Sequence, residues 1–264
     1  MIKIVSNFSG NYNEDPIRFF NFEKYAHLSD DAILFIGSAP DNSIFENSNL
    51  RKFFLSTEEQ TWDLDSTDNY VNHVESIYTI CPPDVTKRAK RIFTFFPIDS
   101  ELIPTESEKK YDVIYAGFAL SSHVHEIISV ITKYNYRFIS FNNQTNLETN
   151  LNVGYLEKLK LISESKISII HNLTGTGTPQ LKSRPFEAAF CKSLILCKED
   201  EWNIIDTWFE KDKEYLSFKS SDDLKEKIDM VLSNYDDYKH IIENAYNKAI
   251  NNYSSKHFIE KILK

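Results

Sequence analysis

Short apolar runs alternate with amphipathic stretches along the whole chain. Ile2 to Phe8 predicts a strand, 17–28 a helix, and Ala32 to Ile36 a second strand closed by Gly37 and Pro40. Lys52 to Leu55, Ser76 to Cys81 and Ile92 to Phe96 predict further strands, the last two stopped by Pro82-Pro83 and Pro97. Between them 84–90 reads as a helix with Asp84 as its N-cap. Ile98 to Lys110, rich in acidic residues and carrying Pro104, has little apolar content and reads as a linker. A second alternating series follows. Tyr111 to Ala116 predicts a strand ending at Gly117. A helix over 122–134 places Ile127, Ile128, Ile131 and Tyr134 on one face. Tyr136 to Phe141, Ile167 to Ile170, Leu194 to Cys197 and Tyr215 to Phe218 predict strands. The stretches 153–164, 182–192, 201–209 and the one capped by Ser221 predict helices, and a last helical stretch runs from about 235 to the end with a break near Ser254-Ser255.

Strands alternating with helices of ~10–15 residues signal βαβ units and a mostly parallel sheet. Two such series separated by a polar segment predict an α/β protein of two Rossmann-like domains: residues 1–100, a linker over 101–110, and residues 111–264. Ligands of such sheets sit beyond the carboxyl ends of the strands, so the loops after strands and the cleft between the domains are where chemistry is expected.

Composition narrows the classes. The 264 residues, 41% hydrophobic and 14% aromatic, are ample for a packed core and exclude disorder. A net charge of −9 argues against a general nucleic-acid or anionic-membrane surface. With six glycines the chain has neither a Gly-rich dinucleotide fingerprint nor a Walker loop. Cys81, Cys191 and Cys197, an odd set without a CxxC, fit neither a disulfide framework nor a structural zinc site and read as buried, reduced thiols. No apolar run approaches the ~18 residues of a membrane span, and the first strand is too short for a signal sequence. These features predict a cytoplasmic protein.

The strongest chemical signal is Gln180-Leu181-Lys182-Ser183-Arg184-Pro185-Phe186-Glu187-Ala188-Ala189-Phe190. It follows a predicted strand and the loop Asn172-Leu173-Thr174-Gly175-Thr176-Gly177-Thr178-Pro179. Pro185 suits an early helix position, and Lys182 and Arg184 put positive charge where the helix dipole disfavours it unless an anion lies between them. Arginine is suited to bidentate phosphate contact, and Glu187 could accept from ribose hydroxyls. The bland counterpart is a capped amphipathic helix with surface Lys and Arg.

The run Leu181 to Ala189, followed by Leu194-Ile195-Leu196, resembles the donor-binding segment of group 1 glycosyltransferases of the GT-B fold. Asp112-Val113-Ile114-Tyr115-Ala116-Gly117 resembles the first strand and turn of that family's C-terminal domain. Tyr155 to Lys160 through Ile169-Ile170-His171-Asn172 resembles its approach to the donor site, with some similarity to fucosyltransferase-like GT-B enzymes. The resemblance covers 111–264 well and 1–100 only in pattern. It implies a compact GT-B-like chain whose C-terminal helix packs back on the first domain. It implies a nucleotide-sugar donor, a saccharide or similar hydroxyl acceptor, and no cofactor or metal. Lys182 and Arg184 would then meet the diphosphate and Glu187 the ribose. Gly117 and Phe118 would lie at the cleft, and Asn172, Thr174, Gly175 and Thr176 would complete the donor loop. Pro179 stands where retaining members carry an earlier glutamate, and Lys192 and Leu194 replace the family's Gly and Pro, so inversion and retention both stay open.

An inverting reaction needs a base near the acceptor hydroxyl. Glu58 and Glu59, after a short strand, and Asp15, after the first, are the candidates. Asp63-Leu64-Asp65 matches the metal-binding DxD of GT-A transferases and offers an alternative, metal-dependent reading, although its setting is a poor strand end. A non-catalytic binding module on a degenerate transferase fold is the other alternative. His123 and His125, spaced i, i+2 where a helix opens, would diverge rather than share a metal, and one of them, or His171 at its strand end, is a candidate contact to phosphate or acceptor at the cleft. Trp62, Trp202 and Trp208 read as core residues. The apolar face of the last helix reads as packing rather than as a peripheral membrane contact, because its flanking charges are mixed.

Overall fold

A computed structural model of the chain describes residues 3–6, 23–28, 31–37, 49–56, 73–82, 91–104, 107–117, 122–140, 150–151, 153–174 and 177–264. The predicted alternation is realised as two parallel sheets. The first contains β1 (Lys3–Ser6), β2 (Ala32–Gly37), β3 (Arg51–Ser56), β4 (Ser76–Thr79) and β5 (Arg91–Phe93), paired in chain order. β2 is buried along its whole length, which is why it reads as a continuous apolar run rather than an alternating one. β5 is shorter than its apolar run, because Thr94 to Ile98 continue as buried extended chain outside the ladder.

The second sheet contains β6 (Tyr111–Ala116), β7 (Tyr136–Ser140), β8 (Asn150–Leu151), β9 (Ser165–Ile170), β10 (Leu194–Lys198) and β11 (Leu216–Phe218), in the order β11-β10-β9-β6-β7-β8. The chain runs outward from β6 to β8, then returns to add β9 on the other side of β6. The strand order therefore reverses between β6 and β9, and such a reversal opens a crevice beyond the strands' carboxyl ends.

Alternation along the strands sorts the helices. Val113, Tyr115, Ile167, Ile169, Leu194 and Leu196 pack on α1 (Ser122–Ile131) and α4 (Ser221–Ser233). Their neighbours Ile114 and Ala116 pack on α2 (Tyr155–Ser163). α3 (Arg184–Phe190) lies in the layer between the two sheets, where Phe186 and Phe190 join Leu34, Phe53, Leu55 and Tyr78 of the first sheet in one core. α5 (Lys239–Asn252) and α6 (Ser255–Leu263) complete that layer. Ser254, at the predicted break, caps α6 by accepting from the His257 N–H at 3.3 Å.

The C-terminal helix does cross back. Phe258 sets its ring edge-on to Tyr78 at 5.5 Å, and Arg51 of β3 donates to the Leu263 carbonyl at 3.1 Å. Phe258, Ile259 and Ile262 are all buried, so that apolar face belongs to the protein's own core. No helix among the described residues is long and apolar enough to cross a membrane. The helix expected over 201–209 is only a single 3-10 turn, Ile204–Thr207. Asp200 Oδ1 accepts from the Trp202 and Ile204 N–H groups, and Asn203 takes a left-handed φ of 43°, which interrupts the helical path. Trp202 is exposed rather than in the core, whereas Trp208 packs against Phe93, Phe95 and Tyr253. Trp62 and the predicted helix over 84–90 lie outside the described residues.

Candidate functional site

β6 ends at Ala116 and β9 at Ile170, so the reversal of strand order is flanked by Gly117 on one side and His171-Asn172 on the other. Arg184, the first residue of α3, spans this point. Its Nη1 donates to the Ala116 carbonyl at 2.7 Å and its Nη2 to the His171 carbonyl at 3.2 Å. The guanidinium also lies over the Tyr115 ring, 5.4 Å from its centroid. Gly117 is required by this approach, because a Cβ there would stand 2.7 Å from Arg184 Nη1 and 2.9 Å from the Tyr115 hydroxyl.

His171 is buried, its imidazole parallel to the Tyr115 ring within 3°. The Leu173 N–H points at Nδ1 at 3.4 Å, and Nε2 shares a hydrogen bond with the Tyr115 hydroxyl at 2.8 Å. Burial raises the Tyr115 phenol above its ordinary value, against the opposing pull of the Arg184 cation. It therefore stays a neutral hydroxyl. Asn172 is buried, donates from Nδ2 to Cys197 Sγ at 3.5 Å, and leaves Oδ1 without a hydrogen-bond partner among the described residues.

The loop after β9 folds on itself. Thr174 N–H donates to the Thr178 carbonyl at 2.8 Å, Thr178 N–H to Thr174 Oγ1 at 3.0 Å, and Gly177 N–H to the Thr174 carbonyl at 3.0 Å. Gly177 holds a φ of 83°, a turn conformation that a side chain would oppose. The loop then reaches the other sheet, where Leu181 N–H donates to the Ile80 carbonyl just past β4 at 3.0 Å. Lys182 donates to the Gln180 side-chain oxygen beside it.

Glu187 takes a different direction. Its side chain is fully buried and ion-paired at 2.6 Å with Lys158 of α2, which keeps a fifth of its side chain exposed. Neither carboxylate oxygen meets hydrogen-bond geometry, so the contact is one of charge rather than of an aligned N–H. The Tyr155 hydroxyl lies against the same carboxylate, and burial followed by the Glu187 charge raises its pKa well above the ordinary tyrosine value. In this structure Glu187 thus faces α2, not the strand ends.

The structure therefore brings Gly117 and Arg184 together beside Asn172, keeps Thr174 and Lys182 in the segment that joins β9 to α3, and turns Glu187 to the back of α3. Phe118, Gly175, Thr176, Asp15, Glu58, Glu59, Asp63 and Asp65 lie outside the described residues. His125 is exposed on α1, one turn into the helix. All three cysteines are free and buried, and burial raises the Cys191 and Cys197 thiols well out of the reactive range. Sequence reasoning passed over Tyr115 and Lys158. The available signals were a lone tyrosine in an Ile/Val strand, whose hydroxyl needs a partner once buried, and a lysine on a largely buried helix beside Tyr155 and Leu159.

A cleft of about 770 Å³ opens at the opposite, amino-terminal pole of the second sheet, between residues 100–109 and α5. Its lysines are engaged within the fold. Lys109 donates to the carbonyls of Ser163, Ser165 and Lys192, Lys192 pairs with Glu243, and Lys239 pairs with Asp236.

Two parallel sheets joined through one core, with a cationic side chain at the reversal of strand order in the second, define a GT-B architecture. The sequence profile of the glycosyl transferase-like family matches residues 121–264, more than half of the chain, and the chain belongs to that family. No curated protein matches it. Among solved structures it is similar to TarM from S. aureus, with 13% identity and a TM-score of 0.60 over 92% of this chain and 56% of TarM. It is similar to sucrose-phosphate synthase from Thermosynechococcus elongatus, with 10% identity and a TM-score of 0.62 over 91% of this chain and 75% of that one. It is also similar to Anabaena HepE in complex with UDP and glucose, with 12% identity and a TM-score of 0.62 over 91% of this chain and 79% of that one. The chain thus spans little more than half the length of TarM.

Proposed function

We propose that this chain moves a sugar from a nucleoside-diphosphate donor to a hydroxyl of a saccharide or similar acceptor, without a metal ion. The observation that carries the reading is Arg184 at the reversal of strand order. Two of its N–H groups hold strand-end carbonyls, and the guanidinium has five N–H donors in all. A fixed cation there stabilises negative charge that develops on a leaving diphosphate, with no reorganisation at the moment of reaction. Lys182, Asn172 and Thr174, with Gly117, Phe118, Gly175 and Thr176, would form the rest of the donor site, and Glu187 would anchor α3 from behind. In the same reading residues 111–264 form the donor domain, 101–110 a linker and 1–100 the acceptor domain. Glu58, Glu59 and Asp15 are the candidate bases. UDP is the first nucleotide to try, since HepE is described with it. A cytoplasmic site of action, without a nucleic-acid partner or a transmembrane segment, completes the proposal.

A thermal-shift panel of UDP, GDP, CMP, TDP and ADP, each with EDTA and with manganese, tests it. A ligand present at ~100 times its dissociation constant adds about 2.7 kcal/mol of stability to the folded state. A nucleotide shift that survives EDTA is expected, and it should weaken on Arg184→Ala by about 1.5–3 kcal/mol of binding energy, the range for a hydrogen bond to a charged group. A shift only with manganese favours the Asp63/Asp65 reading. No shift with any nucleotide, or unchanged affinity in a folded Arg184→Ala protein, refutes the proposal.

A further inference from the structure

The element that orients Arg184 lies beneath it. Tyr115 is 1% exposed, its ring stacked within 14° on Phe138 at 5.6 Å, and the His171 imidazole lies parallel to it within 3°, beyond its hydroxyl edge at 5.9 Å between centroids. A buried ring stacked on one neighbour and hydrogen-bonded at its hydroxyl is held in one plane, so its hydroxyl oxygen has one position. That position is 2.8 Å from His171 Nε2, and the Arg184 guanidinium lies over the same ring, 5.4 Å from its centroid. It is also 2.9 Å from where a Cβ on Gly117 would stand. Hydroxyl, imidazole and guanidinium therefore form one stack across the carboxyl ends of β6 and β9. Carbonyls 116 and 171 accept from two points of the guanidinium, and the Tyr115 ring lies beneath it.

We infer that Tyr115 is a positioning residue for diphosphate recognition: its buried hydroxyl locks the Arg184 guanidinium and the His171 ring in one orientation at the strand ends. The inference rests on the donor reading above, with UDP as the donor nucleotide. Arginine recognises phosphate through a planar fork, so affinity depends on the orientation of that plane as well as on its charge. An Arg184 that keeps its charge but rotates should lose diphosphate affinity and leave nucleoside affinity alone.

Tyr115→Phe removes only the hydroxyl and keeps the stack. Calorimetric titration of the wild-type and variant proteins with UDP and with uridine separates a positioning role from general loosening. The expected result is a UDP dissociation constant raised about tenfold, the scale of one lost hydrogen bond to a charged group, with the uridine constant unchanged. A UDP constant within twofold of wild type, or UDP and uridine weakened by the same factor, overturns the inference. Should Tyr115→Phe not fold, Gly117→Ala takes its place. It leaves Tyr115 intact and sets a methyl against Nη1 and the hydroxyl, so the same diphosphate-selective loss is expected, and unchanged UDP binding overturns the inference. A wild-type protein that does not prefer UDP over uridine refutes the donor reading itself, which is a different failure from a preference that survives Tyr115→Phe.

Discussion

Replacing Lys158 by methionine isolates the charge that holds α3 from behind. Methionine nearly matches the lysine stem in volume, so packing against Tyr155 is conserved while the ammonium is lost. At 2.6 Å and an effective dielectric of ~20, the attraction to Glu187 is about 6 kcal/mol before the cost of desolvation. Removing one partner of a buried pair costs ~3–5 kcal/mol, because the other charge is left unpaired in the interior. Lys158 keeps a fifth of its side chain in water and Glu187 none, so solvent screens one end of the pair and the lower end of that range applies, about 3 kcal/mol. Urea unfolding of Lys158→Met, Glu187→Gln and the double variant measures it. The double variant, with a neutral amide in place of the stranded carboxylate, should be more stable than Lys158→Met alone. A Lys158→Met loss below about 1 kcal/mol, the value of an exposed ion pair, would refute the reasoning. So would a double variant no more stable than the single one.

Phe186→Ala should cost ~3–5 kcal/mol in the same assay, since the ring is fully buried against Phe95, Trp208, Phe209 and Tyr253 and the space between the sheets cannot collapse around it. Burial lowers Lys109 to about 8, below its ordinary value of 10.5. Between those values the unfolded chain holds the proton that the folded one has lost, so this group should make stability rise with pH from about 8 to about 10, at up to ~1.4 kcal/mol per unit. Lys109→Met should flatten the denaturation midpoint in that window, and an unchanged slope would contradict the assignment.

Local pattern revealed much of the architecture. Each predicted strand has a counterpart, because a buried parallel strand is a nearly continuous apolar run, as Ala32 to Ile36 and Leu194 to Cys197 are. The two-residue β8 was invisible, being too short to carry a period. The helix over 201–209 misled because its apolar spacing was genuine while Asp200 captured the backbone N–H groups that would have begun it. At the site, Arg184 and Gly117 stood out from their types and their places after or before strands. Their mutual contact did not, since 66 intervening residues hold no record of which strand lies beside which.

Local patterning dictates that the chain alternates strand and helix in two series. It also dictates that a basic segment opening with Lys182 and Arg184 follows a glycine-threonine loop. Periodicity and capping are local properties and can be read from neighbours. It takes the packed fold to set β9 beside β6, to bring Arg184 across the gap so made, and to turn Glu187 away to Lys158. The packed fold also lets Phe186 seat α3 in a core shared by both sheets. Those outcomes depend on pairings between residues tens of positions apart, each chosen by the total burial and charge balance of the whole fold, and no short window of sequence contains that sum.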